Sequence, residues 1–150
     1  MNRFLNILLR IQPFAQDATL LFLRLFIGGF MAHHGYGKVT GNTAKFADYV
    51  ASLGIPLPYI LGYAAIYAEF LGGIFIVLGL LHRPAALSVA ITMMVATFAA
   101  HGKDILGEGE FALVYGVITL AFVFLGAGRY SVDNFIVSRL LNNNNSKNSQ

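Results

Sequence analysis

The chain has 150 residues, of which 57% are hydrophobic and only 11% charged, with a mean hydropathy of +0.66. So little charge cannot cover the surface of a water-soluble domain of this size, and it avoids four long apolar runs, the pattern of a membrane protein. The net charge of +3 comes with no basic cluster, which excludes nucleic acid as a partner, and the lack of cysteine excludes disulfides, thiolate catalysis and cysteine-ligated iron–sulfur clusters.

The first segment, residues 1–14, reads MNRFLNILLRIQPF. Asn2, Arg3, Asn6 and Arg10 form one polar stripe against Phe4, Leu5, Leu8 and Leu9, which predicts an amphipathic interfacial helix ended by Pro13. A signal peptide fits less well, because Arg10 interrupts the apolar run and no small-residue cleavage site follows.

Four predicted transmembrane spans follow, at about residues 19–38, 59–81, 84–101 and 111–126. At 1.5 Å per residue each is about long enough to cross a hydrocarbon layer ~30 Å thick. Continuous apolar runs with no period of two indicate helices rather than barrel strands. The fold class is therefore all-α: a four-helix transmembrane bundle occupying residues 15–138.

The connections carry further information. Phe46, Tyr49, Val50 and Leu53 repeat at helical spacing, predicting a short interfacial helix between the first two spans, stopped by Gly54 and Pro56 and lying as a lid over one end of the bundle. Gly35, Gly37 and Gly41 are expected to let the chain turn from the first span into this lid. His82-Arg83-Pro84 predicts a tight hairpin, with proline opening the third span. The tail, residues 139–150, is rich in asparagine and is expected to be disordered.

Arg3, Arg10, Arg83, Arg129, Arg139 and Lys147 fall on one side of this topology. Lys38, Lys45 and Lys103 fall on the other, among acids. The positive-inside rule then places both termini in the cytoplasm and the FMAHHGYGK end outside. The two helical hairpins look alike, with His-Gly then lysine closing the first and third spans. A parallel internal repeat and the shared chemistry of membrane ends both account for this.

Polar side chains within the spans are few, and a charge near the bilayer centre costs about 2.5–3.5 kcal/mol, so each should face protein or water. Glu69 lies close to the midplane and is the candidate catalytic, proton-handling group; a structural ion pair is the competing reading. Arg24, Gly28, Met31, Gly35 and Lys38 share one face of the first span, with His34 on its flank and His33 nearly opposite. Arg24 is the natural partner of Glu69 if its long side chain reaches outward, and otherwise snorkels.

His101 ends the third span at the level of His34, and Glu110 opens the fourth at the same level. Arg24, His34, Lys38, His101 and Glu110 are thus candidate substrate-binding residues around a pocket that includes Glu69. A metal would need sharper ligand spacing, and haem would need histidines deeper in the bundle, so no metal site is assigned. A quinone headgroup suits the residue types better: its carbonyl oxygens want histidine or lysine donors, and proton-coupled reduction wants a carboxylate.

The segments LFLRLFIGGFMAHHGYGK, YVASLGIPLP, AEFLGG, VLGLLHRPAAL, GEGEFALVYG and LGAGRYSVD, in this order, resemble the DoxX family of bacterial membrane proteins. The resemblance covers roughly residues 18–136 and implies a four-helix bundle in the bacterial plasma (inner) membrane. It marks Arg24, His34, Lys38, Glu69, His101 and Glu110 as family-pattern positions. It also implies association with quinol oxidase or thiosulfate:quinone oxidoreductase, or with oxidative-stress complexes. The expected function is a quinone-binding or quinone-coupled membrane subunit with no intrinsic cofactor, a bound quinone, membrane lipid and a redox protein as partners, and scope for a homo-oligomer. The alternative is a non-enzymatic scaffold or small-molecule permeation protein whose intramembrane charges are structural.

Overall fold

The computed structural model describes the backbone of residues 13–147 and the side chains of residues 15–141. The interfacial helix expected over residues 1–14 lies, apart from its last two positions, outside the described residues. Six α-helices make up the described chain: α1 Pro13–Thr40, α2 Thr43–Ser52, α3 Pro58–Leu78, α4 His82–Val95, α5 Glu110–Leu125 and α6 Val132–Lys147. No strand occurs among the described residues.

Three of these helices are long and apolar enough to cross a membrane: α1 from Ala15, α3, and α4 together with the turn of π-helix, Ala96–Ala100, that continues it. The shorter apolar α5 completes a four-helix bundle. Phe22, Phe26, Phe30, Ile60, Ile91 and Phe124 point outward and are more than half or about half exposed. A soluble monomer rarely shows contiguous apolar surface beyond a few hundred Å². This surface is matched to lipid.

Each helix starts and stops for a local reason. Asn42 caps α2, its side chain accepting from Lys45 N at 3.0 Å. Pro58 occupies the first turn of α3, where a missing N–H costs nothing. Gly79 ends α3 with φ of 65°, in the left-handed region that favours glycine. The Asp133 carboxylate caps α4, accepting from Leu81 N at 2.8 Å and His82 N at 2.9 Å.

Two expectations are corrected. α1 does not turn at Gly35 or Gly37; it stays helical to Thr40, and the chain leaves the helix at Gly41. Within a bilayer each backbone N–H needs an internal partner, so the helix persists through its glycines. Gly35 instead permits close packing, because a Cβ there would collide with the backbone of Phe70. The tail is also not wholly irregular: α6 runs on to Lys147, past the first asparagines. Its start is held by Ser131 Oγ, which accepts from Asn134 N at 3.2 Å, and a nucleated helix adds one bond per residue thereafter.

α1 packs on α3 along small residues. A Cβ on Gly28 would lie 2.8 Å from Gly73 O, and one on Gly73 would meet the backbone of Ala32. Such close approach is how helices associate where hydrophobicity gives no drive. α3 packs in turn on α4, and α4 on α5, around Met31, Ile76, Ala86, Val89, Met93 and Phe122. α2 lies across the start of α3, with Ala47 and Val50 buried.

Candidate functional site

Below α2 lies a cavity of about 570 Å³, walled by α1, α2, α3, α4, the π turn and the start of α5. Its ionisable lining residues are His34, Lys38, Glu69, His101 and Glu108, joined by the hydroxyls of Ser88 and Thr92. Most of the remaining wall is apolar, including Val50, Leu61, Ala64, Ala68, Ile91 and Val95. That volume and lining belong to the range of small-molecule sites.

Glu69 is 1% exposed and stands in the middle of α3, carried there by the same face that buries Ile66, Gly73 and Ile76. Lys38 reaches inward from the last turns of α1 and donates to Glu69 Oε1 at 2.7 Å. A buried carboxylate survives only when paired in this way. The ammonium also lies 4.7 Å from the centre of the Phe46 ring, which ties α2 to the Lys38–Glu69 pair. Glu69 Oε2 has no hydrogen-bond partner, and His34 Nε2, at 3.9 Å, is too far to supply one.

His34 packs its ring 5.5 Å from that of Phe111 and is about half exposed. His101 follows the π turn, its N–H bonded to Ala96 O, and its Nδ1 is buried without a partner. The π turn accommodates an extra residue per turn, a feature that recurs at functional sites. Unpartnered buried polar atoms are uncommon, and here two of them, on Glu69 and His101, belong to residues lining the same cavity. The arrangement offers a cation, a carboxylate and two imidazoles to one polar headgroup, with apolar wall beyond. Among the described residues, no three His, Asp or Glu side chains form a metal-ligand set.

Two of the expected site residues stand elsewhere. Arg24 is buried near the opposite end, where it does not approach Glu69. It donates to four backbone carbonyls: Nε to Ile76 O at 3.0 Å, Nη2 to Val77 O at 2.9 Å, and Nη1 to Ala127 O at 2.6 Å and Tyr130 O at 3.0 Å. These carbonyls lie at the end of α3 and in the loop after α5, where acceptors outnumber backbone donors, and they hold the guanidinium away from the cavity. Glu110 is exposed at the first position of α5 and does not line the cavity; Glu108, two residues earlier, does. Buried Gly109 between them packs against His101 and Ile105; both acids are exposed, and Glu108 alone of the two borders the cavity.

Other lining residues were not anticipated. Ser88 and Thr92 recur four apart on an otherwise apolar helix, a signal that could have marked a cavity-facing stripe. Phe111 carried no such signal. The lid residues Phe46, Tyr49, Val50 and Leu53 line the cavity as their periodicity suggests.

Fold and cavity together define a polytopic helical membrane protein with an amphipathic internal site. The DoxX family model matches residues 19–102, more than half of the chain, and the chain belongs to that family. An uncharacterized protein of Haemophilus influenzae is 34% identical over 129 residues, covering 77% of this chain and 88% of the relative. Inner membrane protein YqjF of Escherichia coli is 31% identical over 138 residues, covering 85% and 95%, and inner membrane protein YphA of the same organism is 32% identical over 95 residues, covering 63% and 67%. No solved structure gives a significant match.

Proposed function

We propose that this chain is a plasma-membrane subunit that holds a quinone headgroup in the cavity and serves a redox partner protein. The observation that carries this reading is the buried Lys38–Glu69 pair set in the wall of a cavity whose lining is mostly apolar. Lys38, His34 and His101 would donate to the carbonyl oxygens of the headgroup, and Glu69 would deliver or take a proton there. The chain has no cysteine and no cofactor motif, so electrons would come from the partner. Arg24 and Glu110 are left out of the binding role, since neither faces the cavity. The basic residues Arg83, Arg129 and Arg139 at the end carrying the C-terminal helix support both termini in the cytoplasm.

The test is purification in mild detergent, solvent extraction and mass spectrometry. Wild-type protein should carry quinone, and Glu69→Gln should carry about tenfold less per folded molecule. Wild-type protein holding only phospholipid would defeat the proposal. A second reading, a scaffold or permeation protein with structural charges, is favoured by one contact: Lys38–Glu69 ties α1 to α3. Under it, Glu69→Gln lowers abundance and alters no ligand.

A further inference from the structure

Part of the cavity wall is formed by facing sides of α3 and α4. α3 and α4 form a hairpin closed at the Gly79–Leu81 turn, and they remain in contact at Gly72, where a Cβ would lie 2.8 Å from Val89. Toward the start of α3 the facing residues of the two helices line the cavity: Leu61, Ala64, Ala65 and Ala68 on α3, Ile91, Thr92 and Val95 on α4. Small side chains on α3 keep the gap open.

Several of these lining residues also belong to the outer surface. Leu61 is 43% exposed, Ile91 57% and Val95 46%, and Ala64 is exposed as well. A residue that lines a cavity and faces outward marks its rim. The rim lies between two membrane-spanning helices and is apolar on both sides, so it opens toward lipid. α2 covers part of the approach from water, held by Lys38 through the Phe46 ring, while the exposed His34 and Glu108 also border the cavity.

We infer that the gap between α3 and α4 is a lateral portal, through which a ligand with a long apolar tail enters from the bilayer and leaves that tail among the lipid chains. Its occupant is the isoprenoid tail of the quinone, an assignment that rests on the proposed function above; the opening itself does not. The ligand class is thereby narrowed to membrane-dissolved molecules with an apolar chain. Ala64, Ala68 and Ile91 become the residues that select for a tail.

The chain contains no tryptophan, so one introduced tryptophan is the sole reporter of its surroundings. Thr92→Trp, in vesicles of phosphatidylcholine brominated on its acyl chains, reads whether lipid chains reach the gap; Ala68→Trp reads it from the opposite wall should the first variant misfold. Phe122→Trp, in the packed core, is the control. Quenching in the gap should be at least about threefold stronger than in the core, and Ala64→Phe should reduce it. The full-length quinone should bind wild-type protein about tenfold tighter than the same headgroup bearing a methyl group in place of the tail.

Quenching no stronger than in the core overturns the portal, even if quinone binds. Equal affinity for tailed and tail-less quinone overturns the assignment of the tail to the gap. Strong quenching with no quinone bound in either form overturns the quinone reading and sustains the opening, with a lipid chain as its occupant.

Discussion

Lys38 Nζ lies 2.7 Å from Glu69 Oε1, a contact that runs from the last turns of α1 to the middle of α3. The lysine side chain is 22% exposed and the glutamate 2%. Removing one partner leaves the other charge uncompensated in a low-dielectric setting, whatever the net worth of the intact pair. Lys38→Met should cost about 3 kcal/mol, and the double variant Lys38→Met/Glu69→Gln should regain most of it. Thermal unfolding in one detergent measures the cycle; additive losses would show that the two side chains do not act as a pair.

Arg24 spends its donors on four backbone carbonyls. Lysine presents a single point of donation and cannot bridge α3 to the loop after α5. Arg24→Lys should lower stability by about 3 kcal/mol, with ligand content per folded molecule unchanged. Normal unfolding behaviour combined with lost ligand would return Arg24 to the site.

Gly79 couples backbone conformation to the same guanidinium. Its φ is 65°, and a Cβ would lie 2.5 Å from Arg24 Nη2. Gly79→Ala should therefore destabilise by about 1–3 kcal/mol. Gly29→Ala, with no atom near its Cβ position, should be neutral or gain up to about 1 kcal/mol from helix propensity. Melting curves of the two variants should separate in opposite directions; equal losses would contradict the packing described.

The lid rests on Phe46. Phe46→Ala removes the ring under Lys38 and an apolar wall of the cavity, a loss of about 1 kcal/mol at this partly exposed position. Hydrogen exchange should quicken in residues 43–52 and stay unchanged in residues 58–78. Unchanged exchange in the lid would mean that other contacts hold it.

Orientation is open to direct measurement, because the chain has no cysteine of its own. In intact spheroplasts Lys45→Cys should react with an impermeant thiol reagent, and Arg139→Cys only after permeabilisation. Both positions are exposed. The reverse pattern would invert the proposed topology.

Much of the bundle was legible in the chain itself. Arg24, Gly28, Met31 and Gly35 are all buried and Lys38 half-buried, as their shared helical face requires, while His33 is exposed. Periodicity reports which side of a helix is packed, and it does so without knowledge of the partner. It does not report how far a long side chain reaches, or in which direction. Arg24 and Lys38 lie on one face, yet one bonds the carbonyls at the end of α3 and the other turns inward to Glu69. Likewise two acids flank Gly109, and only the turn around it decides that Glu108 lines the cavity and Glu110 does not.

Composition and apolar run length alone determine that this chain is a membrane-spanning helical protein, because hydrocarbon admits only backbones that satisfy their own hydrogen bonds. The order of short motifs determines its family. The cavity belongs to the tertiary structure: residues of five helices and the π turn wall it, and no single segment encodes their relative placement. Which charges serve the cavity is decided there too, by which carbonyls stand unpaired within reach of each side chain.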